Sequence, residues 1–193
     1  MTTPPLPQTR RNRTMLLVIA GIFFGTLLIA GALRFSGWHP AANQAHGELL
    51  QPPGDLRAIV PQLADGQAYR WSPAARTWRI ALAPPVGCSD ACLKLGRQLD
   101  TVWQLMGQES DRVHVLWIGE PPAAMTRFAP LRVLRPSDAL RMGLPHAAPK
   151  PGEDPHGIPV FLIDPNGFVI MRYAPGFDPA GLRADLAKLL KLM

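Results

Sequence analysis

The sequence predicts an α/β domain, a central mixed sheet with flanking helices, behind a single N-terminal transmembrane helix. Three observations predict it. Residues 15–33 (MLLVIAGIFFGTLLIAGAL) are apolar or small throughout except for Thr26. Beyond residue 57, short apolar runs of strand type alternate with longer runs whose apolar residues recur at helical spacing. The only two cysteines, Cys88 and Cys92, fall together where the first clear strand gives way to the first such helix.

The chain has 193 residues, which suits one ordinary domain plus an appendage. With 47% hydrophobic residues it has enough apolar surface to bury a core, which excludes a disordered chain. Its 22 prolines gather at Pro4-Pro5, Pro52-Pro53, Pro84-Pro85, Pro121-Pro122 and in residues 145–159, a pattern of rigid turns between elements. The formal charge of +6 is uneven: Arg10, Arg11, Arg13 and Arg34 precede every acid. The remaining 16 Lys and Arg meet 14 Asp and Glu, with no basic stripe interleaved with aromatics, which argues against nucleic acid as a partner.

The apolar run reaches about 28 Å as a helix, close to the roughly 30 Å of a bilayer core. Arg10, Arg11 and Arg13 flank its start, and no Lys or Arg follows Arg34 until Arg57. The positive-inside rule then gives a cytoplasmic tail (1–14), a transmembrane helix (15–34) and an outer portion made of a linker (35–57) and a domain (58–193). A cleaved signal peptide is the competing reading, because Ala30-Gly31-Ala32 resembles a cleavage site. The run exceeds the roughly 7–15 residues of a signal core, which favours a retained anchor. In a bacterium the chain then sits in the inner membrane with its main domain in the periplasm, where thiols oxidise readily.

Within 58–73, Asp65-Gly66 signals a turn and an extra strand or hairpin. Residues 77–83 (TWRIALA) read as a buried strand. After Pro84-Pro85-Val86-Gly87 comes Cys88, and a helix begins near Ser89 or Asp90, both good N-caps, running to about Met106 with Leu95, Leu99, Val102, Trp103 and Met106 on one face. Residues 113–118 (VHVLWI) are a second strand. Residues 121–145 are Pro-broken, with a short helix near 137–142. Residues 160–163 (VFLI) form a third strand, 164–167 (DPNG) a turn, and 168–173 (FVIMRY) its hairpin partner. A last helix spans 179–192 with Leu182, Leu186, Leu189 and Leu190 inward.

A βαβ unit followed by a ββα unit, with a Cys pair at the first strand–helix junction, is the layout of the thioredoxin fold. In that fold a cis-proline faces the Cys pair just before the third strand, and Ile158-Pro159 occupies the place. A general X–Pro bond is cis only about 5–6% of the time, so this expectation rests on position in the fold.

Cys88 and Cys92 can close a small disulfide, hold a soft metal, or cycle between the two. Residues i and i+4 share a helix face, and a helix N-terminus favours thiolate. Two thiolates with one imidazole suit copper: soft sulfur favours Cu(I), and nitrogen permits Cu(II). Of the five histidines, His114 reads as packed in a strand, His39 and His46 as solvated linker residues, and His146 as a loop residue without an evident partner. His156 lies three residues before Pro159, on the loop the thioredoxin fold brings against the Cys pair. Met125, Met142 and Met171 read as core or surface rather than copper thioethers.

These residues resemble the Sco/SenC family, copper chaperones and thiol reductants for cytochrome c oxidase assembly. The family's Cys-Pro-Asp-x-Cys motif corresponds to Cys88, Ser89, Asp90, Ala91 and Cys92. Its Asp-His followed by an apolar strand ending in Asn- or Asp-Pro corresponds to His156 through Pro165. The resemblance covers about residues 47–192. It implies copper ligation by Cys88, Cys92 and His156, with Asp90 and Pro159 in support. It also implies an oxidase subunit or another assembly factor as partner. The chain departs from the family at Ser89 and Leu93, where prolines are usual, at 83–87, which lacks aromatics, and at Gly119-Glu120-Pro121-Pro122, which replaces an Asp-Pro-x-x-Asp-Thr segment. The acid before the His is Asp154, displaced by Pro155. This is a divergent branch.

Three functions follow. The first is a membrane-tethered Sco-like factor that carries copper, or reduces the disulfide of a copper-receiving site with Cys88 and Cys92 as catalytic thiols; on this reading the chain is a metallochaperone or a thiol–disulfide reductase. The second is a general periplasmic thiol–disulfide oxidoreductase, disfavoured by the extra residue between the cysteines. The third is a non-catalytic tethered assembly protein with a structural disulfide, disfavoured because so short a closed loop gains little stability.

Overall fold

The structure, a computed structural model, describes residues 8–36 and 45–192. His39 and residues 1–7 of the expected cytoplasmic tail lie outside the described residues. The chain divides into two units, Met1–Gln44 and Ala45–Met193.

In the first unit, α1 (Gln8–Phe35) contains a span, Asn12–Phe35, long and apolar enough to cross a membrane. Its apolar side chains point outward all round, as Leu16, Leu17, Phe24 and Leu28 illustrate, so it has no packed seam of its own to bury. Thr26, the one polar residue of the run, donates its hydroxyl to Phe23 O at 2.9 Å, which satisfies it within the helix.

The second unit is built on one six-stranded mixed sheet in the order β1-β6-β5-β2-β3-β4. Its strands are β1 (Glu48–Asp55), β2 (Trp78–Leu82), β3 (Val113–Ile118), β4 (Leu131–Leu134), β5 (Val160–Ile163) and β6 (Phe168–Tyr173). β2, β3 and β4 run parallel, while β5, β6 and β1 add antiparallel neighbours. β2 is buried at all five positions, so both faces of the sheet centre are covered, as its continuous apolar run requires.

On one face, α2 (Asp90–Gln104) and α4 (Pro179–Lys191) lay Leu95, Leu99, Val102, Leu182 and Leu186 against Ile80, Val115, Trp117 and Leu162. On the other, α3 (Asp138–Met142) and the segment after β1 cover Ala81, Leu116, Phe161 and Val169 with Leu140, Leu144, Leu56 and Tyr69. Each such fully buried side chain contributes roughly 1.5–3 kcal/mol by its removal from water. Two caps form: Ser137 Oγ accepts Leu140 N at 3.2 Å to start α3, and Asp178 Oδ1 accepts Ala180 N at 3.0 Å to start α4.

Four expectations need correction. Part of the segment expected as linker is strand: Glu48–Asp55 pairs with β6 at its two ends, and the register shifts between Leu49 and Gly54, where Pro52 and Pro53 cannot donate to a ladder. β4 lies inside the Pro-broken stretch, as a four-residue edge strand beside β3. The extra strand or hairpin expected at 58–73 is reduced to one isolated bridge, Gln62 to Ala68, with Gly66 at φ 88° in the turn and Asp65 Oδ1 accepting Gln67 N; a second bridge joins Leu63 to Leu134 of β4. The sole cis peptide among the described residues is Gln51-Pro52, so Ile158-Pro159 is trans, the ordinary preference of an X–Pro bond.

Candidate functional site

The turn out of β2 sets the site. Gly87 has φ 77°, a left-handed conformation that a side chain disfavours by roughly 1–2 kcal/mol. It lets the chain fold back so that Cys88 N donates to Pro85 O at 3.3 Å and α2 begins at once. Ser89 is the N-cap residue by position, but its hydroxyl makes no cap bond. Cys88 and Cys92 therefore stand one helical turn apart at the start of α2, with Cα atoms 5.7 Å apart, joined as a disulfide.

The two sulfurs are not equivalent. Cys92 is 1% exposed and belongs to the core beneath the sheet-facing side of α2, whereas Cys88 is half-buried at its edge. Cys88 opens on a cleft of about 650 Å³. One wall is the turn from Ala83 to Ala91, with Val86 99% exposed on its rim. The facing wall is Arg141 of α3, residues 147–149 and residues 155–159.

Of the predicted site residues, Cys88, Asp90, His156 and Pro159 all line this cleft, with Cys92 just below it. Asp90 is exposed in the first turn of α2. His156 is exposed; its backbone N donates to Asp154 Oδ1 at 3.0 Å, and Gly157 N donates to Asp154 O at 2.9 Å, which makes a tight turn under the imidazole. Among the described residues, no three His, Cys, Asp or Glu side chains are gathered as a metal cluster. In the disulfide state neither sulfur is a thiolate donor. Two-electron reduction would free the Cys88 sulfur on the cleft that His156 lines and the Cys92 sulfur beneath it, and two thiolates with an imidazole are donor types that suit Cu(I).

The other histidines lie elsewhere. His114 is packed, its Nδ1 2.9 Å from Tyr69 Oη, and burial, aided by the charges of Arg132 and Arg79, pushes it down to about 4. His46, expected to be solvated, is bonded to Asp185 of α4, with Nδ1 3.1 Å from Oδ1. His146 gives its carbonyl to Arg172. Met171 is core, Met125 packs against α2 and Met142 is exposed.

Two features escaped the sequence reading: Arg141 on the cleft wall, and the ion pair of buried Arg172 with half-buried Glu153 behind it. A signal for the second existed. Arg172 is the sole charge in the strand 168–173, and a charge in a buried strand must find a partner.

A mixed sheet with a Cys pair at its first parallel β–α junction defines a thioredoxin-like domain. A family model described as a transmembrane-like, thioredoxin-like C-terminal domain matches residues 78–193, and the chain belongs to that family. No curated protein matches the sequence. Among solved structures, BsSco, a member of the Sco family of cytochrome c oxidase assembly proteins, superposes with a TM-score of 0.54 at 13% identity, over 80% of this chain and 100% of that one. A SCO1/SenC family lipoprotein from Bacillus anthracis gives 0.52 at 14% identity, over 72% of this chain and 98% of its own. Arabidopsis thaliana ScoI with copper bound gives 0.51 at 16% identity, over 77% and 100%. At these identities the likeness is one of fold, the thioredoxin-like fold that the family model also gives.

Proposed function

We propose that the chain is a membrane-anchored Sco-like factor for cytochrome c oxidase assembly, with its domain in the bacterial periplasm and Cys88 and Cys92 as a thiol–disulfide couple. The observation that carries this reading is the asymmetry of the pair: Cys88 half-buried on an open cleft, Cys92 buried at 1% exposure directly behind it. That is the arrangement of an attacking thiol and a resolving thiol.

In the reduced chain the Cys88 thiolate, favoured at the start of α2, attacks one sulfur of a disulfide in a copper-receiving site of an oxidase subunit. The partner's S–S bond breaks, a mixed disulfide forms, and the leaving thiolate takes a proton. Cys92 then attacks the Cys88 sulfur and releases the second partner thiol. The partner gains two electrons and the chain closes its own disulfide; a separate dithiol reductant must reopen it.

His156 on the same cleft favours a second role for the reduced site, copper carriage, with Cys88, Cys92 and His156 as donors to Cu(I) as cargo.

The test uses the full-length chain in detergent, reduced, with the oxidised copper-receiving domain of an oxidase subunit. Wild type should release two thiols per chain, and Cys88→Ser should lose the reaction by roughly 100-fold or more. Wild type no faster than Cys88→Ser overturns the reductase reading. Equal activity on an unrelated disulfide points instead to a general oxidoreductase. Titration of the reduced chain with Cu(I) should saturate at one ion, and a reduced chain that binds none overturns the carrier role.

A further inference from the structure

We propose that Arg172 and Glu153 are positioning residues that fix where His156 stands over the Cys88 cleft. The inference rests on the copper half of the function just proposed.

The wall opposite the Cys pair, residues 143–159, contains no helix or strand, and backbone with no ladder must be held by other bonds. Arg172 supplies them. It is 1% exposed, and from near the end of β6 its guanidinium reaches three points along this loop. Nε donates to His146 O at 3.0 Å, and Nη2 lies 3.5 Å from Ala148 O. Nη1 and Nη2 grip the two carboxylate oxygens of Glu153 at 2.8 and 2.6 Å. Glu153 also accepts Lys150 N at 2.9 Å, and Lys150 Nζ reaches across to Glu48 of β1 at 2.6 Å.

The pinned residues and the wall residues interleave. Ala148, itself pinned, lines the wall with Ala147 and Pro149 on either side, and Pro155 and His156 follow the last pin. Glu153 is succeeded at once by Asp154, whose side chain and carbonyl form the turn under His156. A displacement of Glu153 therefore reaches the imidazole within three residues.

Stability alone does not account for the pair, because taking the Arg172 guanidinium out of water costs much of what its ion pair with the half-buried Glu153 returns. A two-point fork adds something else, a fixed orientation, which a lysine ammonium cannot reproduce.

The test compares wild type, Glu153→Gln, His156→Ala and the double variant as full-length reduced chains, reading Cu(I) affinity by competition and the thermal midpoint. Glu153→Gln should weaken Cu(I) roughly 10-fold, as loss of a supporting contact does, but should have no further effect once His156 is gone. The thermal midpoint should fall alike in both backgrounds, and Glu153→Asp, which keeps the charge, should recover most of the affinity. Affinity within twofold of wild type in Glu153→Gln, or losses that add in the double variant, overturns the positioning role while leaving the site intact. A His156→Ala chain with wild-type affinity overturns His156 as a copper donor and this inference with it.

Discussion

Asp185 of α4 and His46, at the start of the second unit, are bonded twice: His46 N donates to Oδ2 at 2.7 Å, and Nδ1 lies 3.1 Å from Oδ1. Gly47 N and the hydroxyl of Tyr173 donate to the same Oδ2, at 3.1 and 3.0 Å. Burial pushes the carboxyl up, but the bonds from His46, Gly47 and Tyr173 outweigh it and hold it below the usual range. Asp185 is 3% exposed and thus gathers residues 46 and 47 onto the end of the sheet. Asp185→Ala should cost about 2–4 kcal/mol in urea unfolding, because it strands several donors at once. It should also speed amide exchange at His46 and Gly47. His46→Ala, which removes only a half-exposed ring from this cluster, should cost under about 1 kcal/mol.

Acid should weaken the domain through His114. Tyr69 Oη accepts Arg79 Nε at 3.0 Å, so its own proton points to His114 Nδ1, which must be neutral to accept it. The imidazole sits at about 4 in the folded chain against an ordinary 6.5. Between those values the unfolded chain binds a proton that the folded chain refuses. Stability therefore rises with pH across that window, is complete above about 6.5, and is lost as pH falls toward 4. After a discount for partial solvent access the loss is about 2 kcal/mol. Urea unfolding at neutral pH and near pH 4.5 should show it, and His114→Gln should flatten that slope.

Periodicity made the middle of the sheet legible. The runs at β2, β3, β5 and β6 are continuous or alternating apolar segments, and α2 and α4 carry apolar residues at helical spacing. The two edges were not legible. β1 is interrupted by Pro52 and Pro53 and pairs only at its ends, and β4 is four residues between Pro130 and Pro136. Neither has a pattern that distinguishes it from a loop; each is a strand because a neighbour is there to pair with it. The site shows the same division. Cys88, Cys92 and His156 stood out by residue type and place in the fold. Arg172 and Glu153, 19 residues apart, meet only through the fold's closure. The trans Ile158-Pro159 bond shows a family expectation failing at a residue whose position on the cleft was right.

Gly157 should be intolerant of any side chain. A Cβ built there would run into Cβ of Pro175 and come within 2.9 Å of its Cγ and 3.1 Å of Asp154 O. The obstruction is a proline ring and a backbone oxygen, neither of which can swing aside. Gly157→Ala should therefore cost about 1–3 kcal/mol and shift the adjacent His156. Unfolding measurements give the first effect. The second should appear as weaker Cu(I) binding by the reduced variant.

The two cysteines should behave differently in trapping. The Cys88 sulfur is reachable from the cleft, whereas Cys92 is 1% exposed and packed with the core. In the Cys92→Ser chain a partner disulfide can be attacked by Cys88 but not resolved, so a mixed disulfide should accumulate. In the Cys88→Ser chain the remaining thiol is buried, so none should form at a comparable rate. Iodoacetamide should likewise modify Cys88 in Cys92→Ser at least about 10-fold faster than Cys92 in Cys88→Ser, since exposure and thiolate character both favour the helix-start sulfur. Non-reducing gels and mass spectrometry of the two chains read both effects. Equal trapping by the two variants would mean that Cys92 reaches the surface and that the order of attack and resolution proposed above is wrong.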